Sequence, residues 1–365
     1  MSDPEQSPRA VKSYVVHDAL GPDSELQRLL QTAWSKRHDA GVGFRYRLRI
    51  ERERVIEGQF GFLLQLNKQR LTERRQPQQF QLAAPFDPTK FHFALVDPSE
   101  VLLELRIDSA TNRACASHSK GASAGQTAVS LMINNSPLTP YHSLVLPERE
   151  LLRPQVLTLA SLRAALALLM RLPDRRYRLG YNSPGALASV NHLHLHLLRI
   201  DRDLYVQSAD LIPIKGFPLL HRLPDHLPAQ GFCYVLRDQA DLPTVCEGLH
   251  RLVSTLLERR LAHNLFFTWT HLHESSTSST IRVVVYPRIR QCANKTACSF
   301  NAAFLELSGF VPVGEPSDFE GLTEVSVVRA LREAQGDVYG ALRDIFAEEN
   351  PSAASESVVA ADKRQ

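Results

Sequence analysis

Residues Asn191 to Leu198 read NHLHLHLL, so His192, His194 and His196 alternate with Leu193, Leu195 and Leu197. A period of two is the period of an extended strand. On such a strand the leucines share one face and pack into a core, while the three imidazoles share the other. The octet therefore calls for a sheet with one face covered by apolar packing and the other carrying chemistry.

The 365 residues allow one large domain or two moderate ones, with 44% apolar and 22% charged residues, an ordinary globular balance. A formal charge of +3 argues against nucleic acid as a partner, since backbone phosphates are usually met by a strong basic excess. The start, MSDPEQSPRA, has no apolar core of a signal peptide, and LRAALALLM (Leu162 to Met170) is too short to span a bilayer. Cys115, Cys233, Cys246, Cys292 and Cys298 form no CxxC pair and read as free thiols in a reducing cytosol. The expectation is a cytoplasmic protein with neither nucleic acid nor membrane as partner.

Residues 1–12 and 350–365 are polar and read as disordered. Asp23 to Ala40 reads as an amphipathic helix, and Phe44 to Val55 alternates like a strand with Arg45, Arg47 and Arg49 on one face. Asn67 to Pro88 reads as a long loop, PFDPTKFHFALV as a strand, Glu100 to Ile107 as another, and Arg113 to Gly125 as a loop lacking the spacing of a Walker motif. Then AVSLMINN and YHSLVLPE form a hairpin across SPLTP, followed by the helix LTLASLRAALALLMRL, the strand RYRLGYN and the histidine strand. The same order recurs in GFCYVLRD, the helix LPTVCEGLHRLVSTLLERRL, NLFFTWTHLH and TIRVVVYPR, which has no histidine triplet. The expected fold class is α+β, an antiparallel sheet with packed helices, duplicated with a degenerate second half. Its halves are residues 13–215 and 216–349. One or two helices close the chain, the first capped by Ser317 or Asp318.

Three imidazoles on one strand face can bind zinc, or one can attack phosphorus while another donates a proton to the leaving oxygen. A neutral imidazole, with its ordinary pKa near ~6.5, is a competent nucleophile at pH 7. A zinc site wants carboxylates that orient the ring nitrogens. Tyr181 to Arg199 contains no acid and instead supplies Asn182, Ser183 and Ser189, with Gly185 and Ala186 leaving room for backbone approach. This context favours attack on phosphorus over metal binding.

NHLHLHLL resembles the signature of the histidine-triad superfamily, and INNSPLTPYHSLVLPE resembles the strand-turn-strand before it. QLNKQRLTERRQPQQF with PFDPTKFHF, LASVNHLHLH, and Phe300 to Glu324 resemble the GDP-hexose phosphorylases of that superfamily, across about residues 55 to 345. The resemblance implies a histidine-triad-like fold and a two-step nucleotidyl transfer. His194 would attack the α-phosphorus of GDP-glucose, releasing hexose 1-phosphate and leaving GMP on the ring. Inorganic phosphate would then take the GMP to give GDP. No metal or other cofactor is required in principle.

By position in the motifs, Asn134 would face the ribose hydroxyls and His142 would help hold the triad. Asn182 and Ser189 would contact the α-phosphate. His196 would sit near the bridging oxygen, and His192 would support the nucleophile. Arg288, Arg290 and Lys295 are candidates for the second phosphate. Two departures from the family pattern are His92 in FHF, where relatives carry asparagine, and Tyr141 before His142, where many carry glycine. The alternatives are a hydrolase of the same superfamily, in which water takes the GMP, and a zinc-binding protein without catalysis.

Overall fold

The computed structural model describes residues 13–17, 22–73, 78, 80–108, 126–270, 280–291 and 299–342. The terminal segments, the Arg113–Gly125 loop, Cys115, Cys292, Cys298 and Lys295 lie outside them. In chain order the elements are β1 (Ser13–His17), α1 (Ser24–Ala40), β2 (Arg52–Val55), β3 (Leu63–Leu66), α2 (Lys68–Glu73) and β4 (Val101–Asp108). The chain continues through β5 (Gln126–Ile133), β6 (Ser143–Pro147), α3 (Leu159–Arg171), β7 (Tyr177–Asn182) and β8 (Leu195–Arg199). Next come α4 (Tyr205–Ser208), β9 (Ile212–Ile214), β10 (Phe217–Arg222), β11 (Phe232–Leu236), α5 (Leu242–Glu258), β12 (Ala262–Trp269) and β13 (Ile281–Arg288). The last are α6 (Phe304–Ser308), β14 (Phe310–Val313), α7 (Pro316–Gly321) and α8 (Glu324–Gln335).

Local chemistry sets the helix ends. Asp23 accepts hydrogen bonds from the Glu25 and Leu26 amides to start α1, and Gly41, at φ 69°, ends it in the left-handed conformation that glycine adopts without strain. Thr158 and Ser161 cap α3 reciprocally. Thr323 caps α8. The closing helices differ from expectation at one end: α7 begins at Pro316 with Glu315 before it, so Ser317 and Asp318 lie inside the first turn and cap nothing.

Among the described residues one eleven-stranded sheet carries the fold, in the order β1-β4-β5-β6-β8-β7-β12-β13-β11-β10-β9, antiparallel except for the β1–β4 pair. Across the central β7–β12 pair the order β5-β6-β8-β7 is met by β12-β13-β11-β10, and α3 and α5 occupy corresponding places in the chain. One face packs on α1, α3 and α5 through residues such as Leu131, Leu195, Leu197, Phe267 and Val283. The opposite face meets a small β14-β3-β2 sheet and α6 to α8 through Leu198, Phe266, Val284 and Tyr286. The architecture is thus α+β with a large antiparallel sheet, as expected.

Two expected strands are absent as such. Only Arg52–Val55 of the Phe44–Val55 run joins a ladder. Upstream, the Arg45 amide donates to the Asn135 carbonyl and the Leu48 amide to His38 Nε2, so the backbone bonds are spent on loops and a side chain. Pro85 to Val96 forms turns and a short 3-10 helix (Phe93–Leu95), and the Asp87 carboxylate accepts from Thr89 within the turn. The Asn67–Pro88 stretch contains α2, started by Asn67, whose side chain accepts from the Arg70 amide.

Candidate functional site

The leucine face of the octet is as expected: Leu193, Leu195 and Leu197 are fully buried in the helix-side core. The ladder, however, begins at Leu195, so His194 stands just before β8 and His192 lies at a bend ahead of it. Side-chain alternation continues through these residues without strand pairing.

Hydrogen bonds fix the protonation of each ring. His192 Nδ1 accepts from the Phe93 amide at 3.1 Å, and its Nε2 lies 3.1 Å from the Arg149 carbonyl, which can only accept. His192 is therefore a neutral Nε2–H ring with both nitrogens committed to backbone. His194 Nδ1 lies 2.7 Å from the His192 carbonyl and must donate to it. Its Nε2 then carries the lone pair and meets no hydrogen-bond partner among the described residues. Burial pushes the pKa of both His192 and His194 down to about 4, against which bonds to the carbonyls of Arg149 and His192 pull upward.

His142 sets the third ring of the triplet. Its Nδ1 accepts from the Leu138 amide at 3.1 Å, so the neutral ring carries its proton on Nε2, 3.1 Å from His196 Nδ1. Burial, assisted by the Arg70 charge, holds the His142 pKa well below that of a free histidine. The Asn134 carboxamide has its oxygen occupied by the Ser136 amide, and its nitrogen, 2.9 Å from His142 Nε2, can donate only to His196 Nδ1 at 3.5 Å, because His142 Nε2 is itself a donor. Both neighbours offer N–H groups, so His196 Nδ1 accepts and its Nε2 holds the proton. Helix α1 anchors this relay, because Trp34 Nε1 donates to the His142 carbonyl. Tyr141, at φ 62°, occupies a conformation that favours glycine, and its ring packs edge-on against Trp34 at 5.5 Å.

A cavity of about 380 Å³ joins these groups, lined by Asn134, His142, Asn182, Ser189, His194 and His196. Asn182 Oδ1 accepts from Asn264 at 2.6 Å and from the Phe304 amide at 3.3 Å. The Ser189 carbonyl accepts from the Gln78 amide. His192 does not line the cavity and supports it from behind. Of the three cations expected at a second phosphate, Arg288 is buried and donates to the Ala302 and Ala334 carbonyls. Arg290 donates to the Glu333 carbonyl. Neither lines the cavity. Arg70 does, as the one basic side chain other than histidine among its described lining, with Nη1 2.5 Å from the Ser136 carbonyl. It lies within the QLNKQR segment already singled out by resemblance, which was the signal available for it. Phe304 lies in the Phe300–Glu324 segment singled out in the same way, but no site role was read for it: its ring lies 5.5 Å from His196 over Gly180, where an added Cβ would come within 2.0 Å of it. Gln155 was missed as well; its side chain binds the His194 backbone.

The model described as "GDPGP1-like, N-terminal domain" matches residues 25–198, and "GDPGP1-like, C-terminal domain" matches 224–337. GDP-D-glucose phosphorylase 1 of Homo sapiens is 35% identical over 329 residues, covering 88% of this chain and 82% of that one. The chain belongs to the GDP-D-glucose phosphorylase family. GDP-D-glucose phosphorylase 1 of Danio rerio is 34% identical over 82% of this chain and 83% of its own length. Beyond the GDP-D-glucose phosphorylase family, yeast Ap4A phosphorylase, solved in complex with Ap4A, shares the fold at a TM-score of 0.55. It is 16% identical and covers 86% of this chain and 98% of that one.

Proposed function

We propose that this chain is a GDP-hexose phosphorylase that converts GDP-D-glucose and inorganic phosphate to GDP and glucose 1-phosphate. The observation that carries the reading is the His194 ring: Nδ1–H is held by the His192 carbonyl, and the opposite nitrogen is an unprotonated lone pair in a cavity-lining ring. Its Nε2 attacks the α-phosphorus and forms a P–N bond as the bond from phosphorus to the bridging oxygen breaks. His196 Nε2–H donates to that oxygen as glucose 1-phosphate leaves. A phosphate oxygen then attacks the GMP adduct, the P–N bond breaks, and GDP departs. Asn182 and Ser189 hold the α-phosphate oxygens, Asn134 the ribose side, and His142 keeps His196 in its donor tautomer. Arg70 offers the charge that favours phosphate over water as acceptor.

His192 has no lone pair to give a cation, since its nitrogens serve Phe93 and Arg149, and this supports the nucleophile over the zinc reading. The mirrored strand order supports a duplicated unit, with 13–215 the active half and 216–349 the degenerate one, its β13 carrying Val284 and Tyr286 on the site-side face. On this reading the protein works in the cytoplasm on GDP-glucose and phosphate, and a formal charge of +3 supports no role for nucleic acid or membrane. The test is incubation with GDP-glucose in the absence of phosphate, followed by mass spectrometry of histidine peptides. GMP on the His194 peptide, discharged as GDP when phosphate is added, is expected. Discharge as GMP regardless of phosphate would make the protein a hydrolase, and absence of any adduct would end the reading.

A further inference from the structure

The β7–β8 ladder runs from Tyr177 opposite Arg199 to Gly180 opposite His196. Continued in register, it would place Asn182 opposite His194, yet these two residues are not paired. The Gln155 carboxamide stands between them. Its nitrogen donates to the Asn182 and His194 carbonyls, each at 3.0 Å, and its oxygen accepts from the His194 amide at 2.9 Å. The side chain is 1% exposed. Its own backbone is fastened too: the Gln155 amide donates to Asn191 Oδ1, and the Gln155 carbonyl accepts from the Tyr181 hydroxyl at 2.7 Å. Toward His194 the carboxamide presents one N–H and one carbonyl, which is what a neighbouring strand would present, and its second N–H reaches Asn182.

We infer that Gln155 is a positioning residue: its side chain replaces a ladder partner, splays β7 from β8 at the nucleophile, and fixes the gap between His194 and Asn182 that the α-phosphate enters. The inference rests on the phosphorylase reading of the same site. A shift of about 1 Å in a reacting group costs on the order of 100-fold in rate. The strands closing to ordinary ladder spacing would produce such a shift.

The test is single-turnover formation of the GMP adduct from GDP-glucose by the full chain and by Gln155→Glu and Gln155→Met. Glutamate keeps the acceptor for the His194 amide and loses both donors; methionine keeps the length and loses all three bonds. The rate constant is expected to fall about 100-fold in both. The affinity for GDP should stay within about threefold, because the groups that bind nucleotide remain. A purely structural role would lower the amplitude, which counts folded enzyme, and leave the rate constant intact; that result overturns the inference. Gln335→Met removes three comparable bonds to main chain, two to the Gln230 backbone and one to the Pro287 carbonyl, from an equally buried glutamine outside the cavity lining, and should retain the wild-type rate constant. An equal slowing there would mean general loosening and would also overturn it. No adduct in the unmutated chain would instead remove the phosphorylase reading itself.

Discussion

His194 gains its reactivity from the His192 carbonyl, which holds Nδ1–H, and from burial. With its pKa at about 4, the ring is neutral across the physiological range. Adduct formation should therefore stay level from pH 8 down to about 5 and fall below that, as Nε2 takes up a proton. A single-turnover profile that bends near the ordinary histidine value of about 6.5 would contradict this account. His194→Ala should abolish the adduct while leaving the thermal transition in place, as calorimetry would show. His142→Ala removes the N–H that faces His196 Nδ1, and the proton on Nε2 of His196 is no longer enforced. We expect kcat to fall about 100-fold with little change in KM. The loss should shrink with a GMP ester whose leaving group needs no proton, and a loss independent of the leaving group would refute the relay. At this scale the triplet was legible in the sequence because its spacing is its chemistry. Gln155 was not, since its three bonds run to main-chain groups, and no residue pattern encodes where a loop side chain meets a backbone.

Elements position the site through a notch. Gly180 on β7 lies opposite His196, and the Phe304 ring fills the space that a side chain at 180 would occupy. Gly180→Ala would drive Phe304 against His196, an overpacking that costs about 1–3 kcal/mol. Denaturant unfolding should show that loss, and adduct formation should slow with it. Gly180→Ala combined with Phe304→Leu should recover part of both. Strands β4 to β8 and β11 to β13 and the three long helices were legible from periodicity, because each buries one continuous face, whereas β1, β9 and β10 at the sheet's edges were not read. The Phe44–Arg49 and Phe91–Phe93 runs misled the same reading. Both alternate and both anchor alternate side chains, Tyr46 on the Pro137 carbonyl and Phe93 among buried apolar groups. Their backbones bond to loops and side chains, and alternation reports only where side chains go.

Across the whole molecule, His192, His194 and His263 are each buried with pKa values of about 4. Their folded values lie below that of an unfolded histidine, so between about pH 6.5 and 4 the unfolded chain binds protons that the folded chain refuses. Stability from these groups is full above that window and is lost as pH falls through it, by about 1.4 kcal/mol per pH unit for each ring. The thermal midpoint should therefore drop steeply between pH 6 and 4.5, while a flat midpoint there would show the rings are not buried neutral. The repeat of strand and helix order was readable from the sequence; the joining of both sets into one sheet through β7 and β12 was not, because nothing in either strand names its neighbour. Phe304 and the carbonyl-held segment before it come from the stretch lacking the triplet, and they form the wall behind His196. Losing that later stretch would strip the backing from His196, so the histidine segment cannot be excised as a working unit on its own.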